Sequence, residues 1–161
     1  MIKRLCIIGV GLIGGSLARA LRGAGACGEI VGAGRNPDHL QQAVDLGVID
    51  HYESDIAAAV QGADMVFVSV PLGAMAAVFS AMKDTLATDG VLTDGGSAKA
   101  SVIAAAEQAF GQVPDFFVPG HPIAGIEQSG VAAAIADLYR ERRVILTPLA
   151  HTDSGAVTRV R

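Results

Sequence analysis

The apolar run Leu5 to Val10 passes straight into Gly9-Val10-Gly11-Leu12-Ile13-Gly14, and apolar residues at helical spacing follow. Between a strand and a helix, this GxGxxG spacing serves to bind a pyrophosphate. Gly9 permits the tight turn, Gly11 lets backbone approach the phosphates, and Gly14 lets helix and strand pack closely. With Leu12 and Ile13, the helix N-terminus offers free N–H groups to the negative charge. A Gly-rich turn without a ligand has the same local spelling. The strand, helix and second strand in register favour a dinucleotide site.

The base and ribose end is read about 20 residues on, where a carboxylate at the end of the second strand would hold the 2'-hydroxyl of NAD. That place is Gly32-Ala33-Gly34-Arg35-Asn36. Glu29 lies at the wrong end of the strand, and Asp38 lies beyond the turn. Arg35 instead offers a cationic fork for a 2'-phosphate, assisted by Asn36, so NADP is the favoured cofactor. NAD stays open, with its hydroxyl held by backbone groups.

In doubly wound sheets the reacting groups sit just outside the carboxyl ends of the strands. Three segments fall there: Ser69-Val70-Pro71, Asp94-Gly95-Gly96-Ser97-Ala98-Lys99 and Gly120-His121-Pro122-Ile123-Ala124-Gly125. Ser69, Val70 and Pro71 would border a nicotinamide ring, and Gly96 would lie against the cofactor. Ser97 is placed either to N-cap the next helix or to meet a substrate, and one hydroxyl can do both. Of the four histidines, His39 falls on a polar helix face, His51 in a loop and His151 near the chain end. His121, stiffened by Gly120 and Pro122, is the candidate base for a hydroxyl proton; a histidine that merely ties down a loop is the alternative.

The elements that must position these residues alternate along the whole chain. Strands are expected at Leu5–Val10, Glu29–Ala33, Asp64–Val70, Gly90–Thr93, Phe116–Val118 and Val144–Thr147. Helices are expected at Leu12–Gly25, with apolar Ile13, Leu17, Ala20 and Leu21 along one face, and from Pro37 to near Gly47. Others are expected at Asp55–Gln61 capped by Ser54, Leu72–Leu86, Ala98–Phe110 and Val131–Tyr139. This is an α/β chain with a doubly wound, mostly parallel sheet, a Rossmann-type domain over residues 1–150. A helix starting at Thr152 to Ser154 would begin a connection, over 151–161, to a helical C-terminal domain absent from this chain.

Composition agrees. With 161 residues, one core suffices without disulfide or metal; 51% hydrophobic residues and 20 glycines suit close helix-on-sheet packing. A net charge of -4 and no Trp give neither the basic surface nor the stacking platform of a nucleic-acid protein. Cys6 and Cys27 form no metal-like pair and are read as reduced thiols in the cytoplasm. Lys3 and Arg4 before Leu5–Leu17 imitate a secretory signal, but the glycines within the run fall at functional spacing and helical periodicity continues beyond it. The longest apolar stretch, Met65 to Phe79, is broken by Ser69 and Pro71 and is too short to cross a membrane.

VGLIGGS, TDGGSAK and PGHPIAGIEQSG together resemble the prephenate dehydrogenase family, which includes arogenate and cyclohexadienyl dehydrogenases of tyrosine biosynthesis. The resemblance covers the chain as that family's N-terminal nucleotide-binding domain. It implies oxidative decarboxylation of prephenate or arogenate, with His121 holding the ring hydroxyl proton and Ser97 hydrogen-bonding the same hydroxyl. Lys99 is the cation nearest the reactive motifs, and Glu127 matches an acidic position at the substrate entrance. The chain departs from the family at Ile126, where a Thr is expected, leaving prephenate against arogenate open.

The family's helical C-terminal domain forms its homodimer and supplies a substrate arginine; no segment here corresponds to it. The chain is therefore expected to bind NADP but turn over prephenate poorly. Two other functions fit the residues less well. A β-hydroxyacid dehydrogenase would use a lysine from its second domain, and a noncatalytic NADP-binding module would leave Ser97 and His121 structural.

Overall fold

The computed structural model describes all 161 residues. Six strands form one parallel sheet: β1 (Ile2–Ile8), β2 (Cys27–Ala33), β3 (His51–Glu53), β4 (Met65–Val68), β5 (Val91–Asp94) and β6 (Phe117–Val118). Their order is β3-β2-β1-β4-β5-β6. The helices are α1 (Leu12–Gly23), α2 (Pro37–Asp45), α3 (Ile56–Val60), α4 (Met75–Met82), α5 (Lys99–Phe110) and α6 (Ser154–Val160). β4 is apolar and buried at every position, and β1 and β2 become so over their last four residues, because both faces of the sheet are covered there. Cys6, Ile8, Val66, Val68 and Leu92 face α3, α4 and α5. Leu5, Ile7, Ile30, Met65 and Phe67 face the side of α1 and α2. Burial drives the Cys6 thiol up to about 12, so it packs as a small apolar residue.

Local chemistry sets the helix ends. Pro37 opens α2, and the Asn36 side chain accepts from the N–H groups of Asp38 (2.9 Å) and His39 (3.4 Å). The cap of α3 is Asp55, which accepts from Ala57, and not Ser54. Ala98 precedes α5 without any side-chain cap, so the helix-capping role considered for Ser97 is also corrected.

Tertiary contacts override the sequence pattern in several further places. His51 lies in the edge strand β3 and not in a loop. The helix expected at Leu72–Leu86 starts as a 3-10 turn, Leu72–Ala74, and α4 ends at Met82. Instead of a helix, Val131–Tyr139 forms two 3-10 turns joined by extended backbone at Ile135. Ile135 N–H donates to Ser16 Oγ and Tyr139 Oη donates to the Ile13 carbonyl, so the segment straps α1 and does not form its own ladder. Val144–Thr147 does not extend the parallel sheet. Its β8 (Val144–Leu146) pairs antiparallel with β7 (Gly120–Pro122), a strand the sequence did not suggest.

The residues of α1 that are fully buried are Gly14, Gly15, Ser16 and Ala18. Ile13, Leu17 and Leu21 are half-buried, and the latter two line an apolar cavity of about 800 Å³ beside Phe67, Val144 and Leu146. Within residues 151–161, α6 buries Ala156 against Val91 and Val118. Arg159 donates to the carbonyls of Asp64 and Asp89.

Candidate active site and dinucleotide cradle

The strand order reverses at β1, which has β2 on one side and β4 on the other, and the two chains leaving that crevice meet at once. Gly9 takes φ +91° and donates to the Ala33 carbonyl at 2.8 Å. Ser69 N–H donates to the Ile8 carbonyl (2.8 Å), and its hydroxyl donates to the Gly9 carbonyl (2.7 Å). A Cβ on Gly9 would lie 2.5 Å from the Ser69 carbonyl oxygen; one on Gly14 would lie 2.5 Å from the Gly9 oxygen and 2.8 Å from Ile7. A Cβ on Gly11 would meet nothing within 4 Å. Gly9 and Gly14 are thus required by the chain itself, and Gly11 faces open space.

The first α1 hydrogen bond runs from Gly15 to the Gly11 carbonyl, and no side chain caps the helix. The N–H groups of Leu12, Ile13 and Gly14 are left without intrahelical partners beside the space that a Gly11 side chain would fill. An anion fits that cradle. Val70 packs its half-buried side chain on the core, and exposed Pro71 opens the 3-10 turn next to the loop. At the end of β2, Arg35 is exposed and makes no ion pair, while the Asn36 carbonyl oxygen is committed to its helix cap. Glu53, in register with Ala33, puts a carboxylate one strand away; with β3 hidden in the sequence, nothing flagged it.

The reactive edge is organised by a residue that sequence reasoning left without a role. Asp94, at the end of β5, is buried, and its carboxylate accepts from Gly96 N–H (2.8 Å, Oδ2) and Gly120 N–H (3.0 Å, Oδ1). It also forms an ion pair with Lys99, whose ammonium donates to the Gly120 carbonyl at 2.5 Å. Lys99 is therefore not a free cation: two of its three hydrogens are committed. Burial pulls its pKa below the ordinary lysine value, against the opposing pull of Asp94. A Cβ on Gly96 would lie 2.8 Å from Val102 and 2.9 Å from Asp94 Oδ2, so Gly96 is fixed by packing.

The loop bearing exposed Ser97 and the strand bearing His121 are thus brought together. His121 is half-buried on β7, opposite Ile145, on the ribbon face away from buried Gly120 and Pro122. Glu127 and Ile126 lie exposed in the following loop, and Glu127 makes no ion pair. Val144 and Ile145 on the ribbon and Ile123 directly after it are exposed apolar residues, and Ile126 and Ile135 are exposed as well.

A parallel sheet reversing at a glycine cradle, with an uncapped helix aimed into it, defines a Rossmann-type nucleotide-binding domain. A family model described as the prephenate dehydrogenase nucleotide-binding domain matches residues 17–161, and the chain belongs to that family. It is 38% identical over 160 residues to a cyclohexadienyl dehydrogenase of Zymomonas mobilis, covering 96% of this chain and 52% of that protein. A prephenate dehydrogenase of Bacillus subtilis is 34% identical over 162 residues, 98% of this chain and 42% of the relative.

Among solved structures, prephenate dehydrogenase from Aquifex aeolicus in complex with hydroxyphenyl propionate and NAD+ superposes with a TM-score of 0.89 at 36% identity. That match covers 99% of this chain and 55% of the other. Synechocystis arogenate dehydrogenase gives 0.87 at 27% identity, covering 98% and 54%. The chain spans about half the length of the relatives it matches. No helix is long and apolar enough to cross a membrane.

Proposed function

We propose that the chain is the cofactor-binding half of a dehydrogenase that oxidatively decarboxylates prephenate or arogenate. The observation that carries this reading is the gathering of the TDGGSAK and GHPIAG loops on one buried carboxylate, at the same sheet edge as the glycine cradle. When bound, the nicotinamide supplies the hydride acceptor. The chain's own groups act on the ring hydroxyl: Ser97 hydrogen-bonds and orients it, and an imidazole nitrogen of His121 accepts its proton as the carbon beneath loses hydride. The ring carboxylate leaves as carbon dioxide, and its bonding electrons complete the aromatic ring. Glu127 stands at the substrate entrance.

NADP is the proposed dinucleotide, its 2'-phosphate held by Arg35 with the Asn36 amide N–H groups. The neutralised Lys99 and the apolar surface around His121 support a substrate pocket completed by residues outside this chain, where the dimer contact would also lie. The 161-residue chain alone is then expected to bind dinucleotide and to turn over prephenate poorly. The reading is tested by His121→Asn in a form of the protein that turns over prephenate. Turnover is expected to fall about 10²–10⁴-fold with the dinucleotide Kd unchanged. Unchanged turnover overturns the role of His121, and loss of cofactor binding together with turnover makes it a structural histidine.

A further inference from the structure

The carboxylate of Asp94 holds the residue immediately before each proposed catalytic group. Gly96 precedes Ser97 and gives its N–H to Oδ2; Gly120 precedes His121 and gives its N–H to Oδ1. Lys99 closes the circuit by pairing with the same carboxylate and donating to the carbonyl of Gly120. Both polar groups of that one peptide residue are thereby claimed by a single ion pair. The surroundings leave little slack: the Asp94 side chain has no solvent exposure and that of Lys99 has 14%. A Cβ on Gly120 would lie 2.9 Å from the Asp94 carbonyl oxygen. Behind the carboxylate, Gly95 N–H is bonded to the Val68 carbonyl, which ties the assembly to β4.

We infer that Asp94 and Lys99 are positioning residues, a clamp that sets the separation of Ser97 from His121 and so the fit of both to one substrate hydroxyl. The inference rests on the proposed reaction for its catalytic consequence but not for its geometry. An isolated buried ion pair is a weak source of stability, because desolvation offsets most of its attraction. What this pair adds is registry: three N–H donors of fixed direction converge on two oxygens, and a shift of either loop breaks a charge-assisted hydrogen bond. Misplacing a reacting group by about 1 Å can cost about 10²-fold in rate.

The experiment combines amide proton shifts and exchange in the 161-residue chain with kinetics in the form that turns over prephenate. In Asp94→Asn, the amides of Gly96 and Gly120 are expected to move together and exchange about tenfold faster, while those of Gly9, Gly11 and Gly14 stay unchanged. In Lys99→Gln, only the Gly120 side is expected to loosen, and Lys99→Arg should restore it. Turnover of Asp94→Asn should fall about 10²-fold in kcat, with KM and dinucleotide Kd within about threefold. If Asp94→Asn does not fold, the charge-neutral double variant D94N/K99Q is measured against the same expectations.

In Asp94→Asn, exchange that rises throughout the sheet, Gly96 and Gly120 amides that respond independently, or an unchanged kcat with both amides released would each overturn the clamp. If no form of the unsubstituted protein turns over prephenate or arogenate while the two amides respond together, the geometric clamp stands and the proposed reaction falls.

Discussion

The hydroxyl of Ser69 donates to the carbonyl of Gly9 at 2.7 Å, joining the loop after β4 to the glycine turn after β1 across 60 residues of chain. The bond fixes a carbonyl whose peptide must stay in place for Gly11 to face its ligand, and the Ser69 N–H repeats the tie one residue earlier at Ile8. In Ser69→Ala one half-buried hydrogen bond is lost. Dinucleotide binding is expected to weaken about fivefold, the equivalent of about 1 kcal/mol, with little change in the far-ultraviolet spectrum. Calorimetric titration checks it, and an unchanged Kd would mean that the backbone tie alone holds the turn.

The glycines separate folding from binding. Gly14→Ala drives a Cβ to 2.5 Å from the Gly9 oxygen and 2.8 Å from Ile7, so it is expected to destabilise the domain by about 1–3 kcal/mol. Gly11→Ala meets nothing in the chain and is expected to leave Tm within about 2 °C while weakening dinucleotide binding about tenfold or more. Thermal melts and titrations of both variants, side by side, would contradict the cradle if Gly11→Ala bound normally.

What the sequence made legible was whatever local chemistry decides. Pro37 and Asn36 announce α2, the uninterrupted apolar run Met65–Val68 announces a strand buried on both faces, and the glycine spacing announces the cradle. What it hid depends on partners distant in sequence. The helical pattern of Val131–Tyr139 yields to Ser16 and Ile13, more than 100 residues away. Val144–Thr147 read as a strand, but its partner β7 has only three residues, too few for an alternation to show, so their antiparallel pairing stayed hidden. Asp94 looked like a strand-end residue because its three donors come from two loops, and Lys99 looked free for the same reason.

Arg35 decides the dinucleotide under the proposed reading. It is exposed at the end of β2 with no ion pair to break, so Arg35→Asp is expected to leave folding intact. The loss of a charge-assisted contact to a 2'-phosphate should weaken NADP about 10–100-fold and leave NAD unaffected or improved. Parallel titrations at fixed salt check this, because phosphate contacts are salt-sensitive. Preference for NAD in the unsubstituted chain would remove the role of Arg35 and direct attention to Glu53, while leaving family membership in place.

At the opposite edge of the sheet, Asp64 makes acid stability predictable. Burial by itself raises its pKa, but the N–H groups of Lys3 (2.8 Å) and Arg4 (2.7 Å) donate to the carboxylate, and with Arg159 nearby the net shift is downward. A carboxyl whose folded pKa lies below its unfolded value of about 3.9 contributes stability that is fully present above that value and is lost as pH falls below it. Asp64→Asn is therefore expected to be less stable than the parent at pH 7 and to lose part of this gap by pH 3, where the parent's own carboxylate is being protonated. Urea unfolding at the two values measures the gap. A difference that stays constant, or widens toward low pH, would show that the Asp64 side chain holds β1 through its shape and hydrogen-bonding capacity alone, without a contribution from its charge.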